Sequence, residues 1–135
     1  MIEKTLIKYL DEDKGVYGKH VLGNLYGVNE ELLSNEEYLK NLIINASKIA
    51  NMHLVEIRSW RFVGNDSEGI SIIALVLESH ISLHTWPKYK FATLDVYTCG
   101  KYSDPERAFD YIVSNLKPER YTKNFIDRSC ILFNL

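Results

Sequence analysis

The sequence predicts an α+β fold: a two-layer sandwich with a mainly antiparallel sheet and two amphipathic helices on one of its faces. Three observations lead there. Extended, alternating segments outnumber helical ones, the helical ones number two, and each of those two has a single apolar stripe. At 135 residues, 46% hydrophobic and 25% charged, the chain is one folded domain, residues 1–135, with material for a core.

Residues 1–14 are polar and mixed and read as a loosely docked leader. Val16 to Tyr26 looks like a strand punctuated by Gly15 and Gly27. Ser34 and Glu37 form a capping box. Leu39, Leu42, Ile43, Ala46, Ile49 and Ala50 follow at helical spacing opposite Lys40, Asn41 and Lys48, and the helix should end near Asn51. His53 to Val63 reads as a strand, with Val55, Ile57, Ser59, Arg61 and Val63 on one side, closed by the turn-forming run Gly64 to Gly69. Ile70 to Glu78 is nearly continuous apolar sequence, as in a central strand buried on both faces. Ser79 to Trp86 is extended up to Pro87, and Phe91 to Thr98 returns as a further strand. Asp104 as N-cap and Pro105 as first residue open the second helix, whose apolar set is Ala108, Phe109, Ile112, Val113 and Leu116. Pro118 stops it, and Arg120 to Ile126 gives a last short strand. Two one-sided helices cover one face of the sheet; the other calls for a second subunit, so a homodimer is expected.

The formal charge of −2 and the lack of a Lys/Arg cluster give no reason to expect nucleic acid. The longest apolar run, Ile70 to Leu77, is too short to span a membrane, and the acidic N-terminal stretch does not resemble a secretory signal, so a cytoplasmic protein is expected. Cys99 and Cys130 are too few for a disulfide framework or a zinc site of their own. Cys130 reads as small apolar core filler.

Chemistry concentrates between Leu77 and Gly100, where Glu78, Ser79, His80, His84 and Cys99 ride on alternating apolar residues. A serine or cysteine nucleophile with a histidine base is one reading, although no helix follows Ser79 as a nucleophile elbow requires. Zinc held by His80, His84 and Cys99 is another, disfavoured because the segment is extended. Residue types alone would equally suit satisfied histidines and a buried thiol in a sheet.

Glu78-Ser79-His80, His84-Thr85-Trp86-Pro87 and Asp95-Val96-Tyr97-Thr98-Cys99-Gly100, in this order and spacing, resemble the signature of the prokaryotic S-adenosylmethionine decarboxylases, small pyruvoyl enzymes that cut their own chain. The likeness runs from Gly18-Lys19-His20 to the second helix. Gly18-Lys19-His20-Val21, Gly23-Asn24-Leu25-Tyr26, Leu54-Val55-Glu56-Ile57 and Asp127-Arg128-Ser129 are similar to the archaeal branch that decarboxylates arginine.

The resemblance implies cleavage between Glu78 and Ser79 into fragments 1–78 and 79–135. The second fragment is capped by a covalent pyruvoyl group made from Ser79, which forms a Schiff base with a small amino-acid substrate and acts as the electron sink. It implies that His84 and Ser71 serve the self-processing, that Cys99 returns a proton to the substrate α-carbon, and that Phe62 contacts the substrate. It calls for no metal, and places the reaction in polyamine synthesis. Two departures bear on the substrate: Lys88 stands where most members have a glutamate that binds ribose, and Val28 where a cysteine is common. Arginine is the first expectation, with a carboxylate among Glu30, Glu31, Glu56 and Asp95 to meet its guanidinium. S-adenosylmethionine is the alternative, and an uncut, non-enzymatic regulatory paralogue the second alternative.

Overall fold

A computed structural model of the chain describes residues 15–64 and 68–131. The expected leader, residues 1–14, lies outside the described residues, as does the middle of the Gly64 to Gly69 turn. The central sheet is antiparallel, in the order β3-β4-β5-β6-β2-β7. Its members are β2 (Lys19–Tyr26), β3 (Leu54–Val63), β4 (Glu68–Val76), β5 (Ser79–Trp86), β6 (Phe91–Thr98) and β7 (Arg120–Tyr121). A further strand, β8 (Asn124–Asp127), pairs with the same edge of β2. A small separate ladder joins β1 (Gly15–Val16) to β9 (Cys130–Ile131). The helices are α1 (Glu30–Leu33), α2 (Glu36–Ile49) and α3 (Pro105–Leu116).

One face of the sheet is the core. Val21, Leu25, Ile70, Ile72, Ala74, Ile81, Leu83, Ala92, Leu94 and Val96 are buried there beneath Leu39, Ile43, Ala46, Phe109 and Ile112 of α2 and α3. Strand period 2 and helix period 3.6 meet in a single apolar layer, the expected two-layer sandwich. Asp104 caps α3 by accepting from the Arg107 N–H at 3.1 Å, with Pro105 opening the helix.

Several boundaries differ from expectation. Ser34 is not the cap of the long helix: Asn35 is, accepting from the Tyr38 N–H at 3.1 Å, because a one-turn α1 capped by Asn29 ends at Ser34. Ile49 is exposed rather than part of the stripe, since α2 ends there and Asn51 turns away with φ +58. The first strand is two pieces, with Gly18 between them pressed on Arg128: a Cβ there would lie 2.4 Å from the Arg128 carbonyl oxygen. Val55 and Val63 are exposed near the ends of β3. The stretch from Ile70 is not buried on both faces in this chain, for Ile73 and Leu75 point away from the helices and stay 42% and 43% exposed. It also ends at Val76, and Leu77 and Glu78 form a turn. The expected last strand, Arg120 to Ile126, is divided into β7 and β8, and a further short strand, β9, follows it. Cys130 is exposed, on a short outer ladder and not in the core.

The uncovered face is laid out in rows by the registers. Glu56, Leu75, His80, Tyr97, His20 and Ile126 form one row; Arg58, Ile73, Ser82, Asp95 and Leu22 the next; Trp60, Ser71, His84, Thr93 and Asn24 a third.

Candidate active site

The site is built on the hairpin between β4 and β5. Val76 pairs with Ser79, so Leu77 and Glu78 form a two-residue loop. Such loops favour turns with positive φ at one or both loop residues, supplied by Asn or Gly. Neither Leu77 nor Glu78 has positive φ; instead Ser79 takes φ +152, a conformation that a residue with a Cβ adopts at a cost of about 1–3 kcal/mol. The unfavourable geometry falls on the serine at the Glu78–Ser79 bond.

Four contacts fix that bond. The Cys99 backbone N–H donates to the Glu78 carbonyl oxygen at 2.7 Å. The Glu78 carboxylate is only 2% exposed and accepts from the His53 backbone N–H at 3.0 Å and from His53 Nδ1 at 2.6 Å. The Leu77 N–H donates to the His53 carbonyl at 2.8 Å. His53, expected only as the start of a strand, is the partner that sequence reasoning missed. No motif marks it, because it meets Glu78 only when β3 and β4 pair.

The Ser79 hydroxyl lies beside the Cys99 thiol, where it acts on the thiol's acidity. Burial pushes the Cys99 thiol above the ordinary cysteine range; the Ser79 hydroxyl opposes this, and the nearby Glu78 charge adds to it. Cys99 is held in turn by its own carbonyl, which accepts from Thr98 Oγ1 at 3.2 Å and Ser103 Oγ at 3.3 Å. Gly100, at φ +110, lets the chain leave β6 immediately behind it.

Ser71 and His84 face each other across β4 and β5, His84 Nδ1 to Ser71 Oγ at 2.9 Å. They are not beside Ser79. His84 stands five residues along β5, about 16 Å away at ~3.3 Å per residue. Thus the chain brings Glu78, Ser79 and Cys99 together at one end of the sheet, and Ser71 with His84 at the other. Phe62 belongs to the second end. Half-buried on β3, its ring leaves no room for a Cβ at Gly69 and neighbours Trp60 with centroids 6.4 Å apart.

Of the four candidate carboxylates, Glu30 and Glu31 lie in the first turn of α1, away from the open face. Glu56 is exposed and paired with Arg58 Nε at 2.7 Å. Asp95 is held by His20 Nε2 at 2.7 Å and His80 Nε2 at 3.2 Å, with Tyr97 packed against both rings. The hydrogen bond from His80, against the opposing effect of burial and with a second from His20, keeps the Asp95 carboxyl below its usual range. Lys88 lies in the turn after β5, its Nζ 5.9 Å above the Tyr89 ring. Among the described residues no group of three or more His, Cys, Asp or Glu side chains could hold a metal ion, and no helix is long and apolar enough to cross a membrane.

Comparison with known proteins places this fold in a family. The chain is 66% identical over 114 residues to a Pyrobaculum arsenaticum protein named arginine decarboxylase proenzyme, covering 84% of this chain and 86% of that one. It is 57% identical over 117 residues to a Caldivirga maquilingensis protein of the same name, covering 87% of each. Among solved structures, the adenosylmethionine decarboxylase of Aquifex aeolicus superposes with a TM-score of 0.75 at 38% identity, covering 84% of this chain and 91% of that one. The family model for S-adenosylmethionine decarboxylase matches residues 19–129. The chain that carries this strained serine, gripped carbonyl and half-buried thiol belongs to the S-adenosylmethionine decarboxylase family of enzymes.

Proposed function

We propose that this chain is the precursor of a pyruvoyl-dependent arginine decarboxylase, which cuts itself between Glu78 and Ser79 and converts arginine to agmatine and CO2. The observation that carries the self-cleavage is the Glu78–Ser79 bond itself: a strained serine with its hydroxyl beside Cys99, and a carbonyl oxygen 2.7 Å from the Cys99 N–H. For the substrate, the support is 57–66% identity to several archaeal arginine decarboxylase proenzymes. Lys88 in place of the ribose-binding glutamate weakens the adenosylmethionine alternative, but as a cation it offers nothing to a guanidinium and does not itself favour arginine.

The cleavage follows from these groups. Ser79 Oγ adds to the Glu78 carbonyl carbon while the Cys99 N–H stabilises the oxyanion; a donor at such a distance is typical of oxyanion holes. The peptide C–N bond breaks as the hydroxyl proton passes to the Ser79 nitrogen, leaving an ester. A histidine base, His84, removes the Ser79 α-proton, and the main-chain carboxylate of Glu78, released from the ester, leaves from Cβ. The dehydroalanine remaining at position 79 takes up water and loses ammonia, so that fragment 79–135 begins with a pyruvoyl group. That carbonyl supplies the sink for the electron pair left by departing CO2. Cys99, kept as a thiol by burial, returns the proton to the α-carbon.

One protomer holds these groups about 16 Å apart along β5. The working unit is a homodimer stacked on its open faces, with the two-fold axis in the interface and across the strands near the row of Ser82 and Asp95. That operation reverses the strand direction and sets Ser71 and His84 of one copy over Ser79 and Cys99 of the other. The exposed Ile73 and Leu75 support this covering.

Intact mass under denaturing conditions tests the cleavage: two fragments, 1–78 and 79–135, are expected, and a Ser79→Ala chain stays whole. A wild-type chain that remains uncut after prolonged incubation refutes it and favours a non-enzymatic paralogue. CO2 release from labelled arginine and labelled adenosylmethionine then decides the substrate; turnover of adenosylmethionine alone overturns the arginine assignment.

A further inference from the structure

We infer that His53 is a positioning residue for self-cleavage: it clamps the Leu77–Glu78 turn from outside and so fixes the carbonyl that Ser79 attacks. The inference rests on the self-cleavage proposed above and adds a residue to it.

A two-residue hairpin loop normally sustains itself through residues that accept positive φ. Leu77-Glu78 has no such residue, and Ser79 carries the consequence at φ +152. Left alone, this hairpin would relax by changing turn type or by fraying its last pair, Val76 with Ser79. Something outside the hairpin has to hold it, and His53 makes three of the contacts that do. Its carbonyl accepts from the Leu77 N–H at 2.8 Å, its N–H donates to Glu78 Oε1 at 3.0 Å, and its Nδ1 donates to Glu78 Oε2 at 2.6 Å.

The two backbone contacts belong to any residue at position 53, but the imidazole contact belongs to histidine. It falls on a carboxylate that is 2% exposed, where a lost donor is not replaced freely by water. Both carboxylate oxygens are thus fixed on one side, while the Cys99 N–H holds the main-chain oxygen of the same residue on the other. The Glu78 main chain is therefore restrained from both sides of the carbonyl that Ser79 attacks. Cleavage requires this alignment, because a small misplacement of reacting atoms slows an intramolecular attack by orders of magnitude.

Because Nδ1 makes the contact, side-chain length becomes a test. The amide nitrogen of asparagine can occupy the Nδ1 position, whereas that of glutamine corresponds to Nε2. Full-length His53→Ala, His53→Asn and His53→Gln chains, made by cell-free translation beside wild type, are followed by intact mass for appearance of fragments 1–78 and 79–135. His53→Ala and His53→Gln are expected to cleave about tenfold or more slowly than wild type, and His53→Asn within about threefold of it. Thermal melting of the same substitutions in the uncut Ser79→Ala background separates misfolding from misalignment. If alanine destroys folding, the asparagine–glutamine pair still decides. Wild-type cleavage with an unslowed His53→Ala chain overturns the inference, as does an asparagine variant no faster than glutamine. A wild-type chain that never cuts instead refutes the self-cleavage on which it rests.

Discussion

Two variants, each inactive by itself, should repair one another. Ser79→Ala removes the nucleophile, and His84→Ala removes a base that the registers put about 16 Å from the Ser79 of its own chain. Losing a general base slows a reaction by about 10²–10⁴-fold, so on an overnight timescale His84→Ala chains alone remain largely whole. In a dimer of one copy of each, the intact Ser79 of the His84→Ala chain lies under the intact His84 of the other. The second site lacks both groups. With equal amounts and random pairing of a two-fold dimer, about half the dimers are mixed and about one site in four is complete. Coexpression with distinguishable tags, read by intact mass, should therefore show about half of the His84→Ala chains cut and none of the Ser79→Ala chains. Absence of any cut chain in the mixture, while wild type cuts fully, would refute the shared site. Full cutting of His84→Ala chains by themselves would remove His84 from the mechanism.

The raised Cys99 pKa keeps the thiol protonated to higher pH than a free cysteine, whose pKa is about 8.5. Alkylation of Cys99 in the folded Ser79→Ala chain should accordingly rise with pH later than that of free cysteine, and a midpoint at or below the free value contradicts the burial argument. For Asp95, whose folded pKa is lowered, the stabilising contribution is present above the ordinary aspartate value of about 3.9 and is lost as pH falls through the folded value. Urea unfolding of the uncut chain should thus show Asp95→Asn destabilising near pH 6 and the difference closing toward pH 2; a pH-independent difference refutes the histidine contacts as its source. Phe109→Ala, in a fully buried position under the sheet, should cost about 3–5 kcal/mol and lower the melting temperature accordingly. Gly23→Ala would put a Cβ 1.9 Å from the Thr122 carbonyl oxygen, which forces the segment between β7 and β8 off β2 and destabilises by about 1–3 kcal/mol on denaturant titration.

The sequence carried the local chemistry of the fold well. The alternation of β5 and β6 gave their limits as they stand, Ser79–Trp86 and Phe91–Thr98, and Asp104-Pro105 gave the start of α3. Where two cap candidates adjoin, as at Ser34 and Asn35, pattern alone picks the wrong one: the choice depends on a one-turn helix too short to leave a periodic signal. The apolar run from Ile70 misled about burial, because Ile73 and Leu75 are apolar for a surface that this chain does not itself cover. Within the site, Ser79 and Cys99 were legible through the motifs that contain them, but what each of them meets in the fold was not. The distance from Ser79 to His84 is a matter of strand extension, and the contact of His53 with Glu78 joins residues 25 positions apart in the chain. Such long-range relations leave no local trace.

The order of strands in the sheet gives the cut a further meaning. Fragment 1–78 would own β3 and β4 on one side and β2 on the other, whereas fragment 79–135 would own β5 and β6, wedged between them, and β7 outside. Neither piece can leave without tearing the ladders β4–β5, β6–β2, β2–β7, β2–β8 and β1–β9, so the severed molecule stays assembled by interleaved strands rather than by covalency. Once denatured, however, it has become two partners that must find each other in solution, and the long antiparallel centre has to be rebuilt from separate strands. Reaching the native topology is easy only while the polypeptide is continuous, which makes folding first and scission afterwards a one-way sequence.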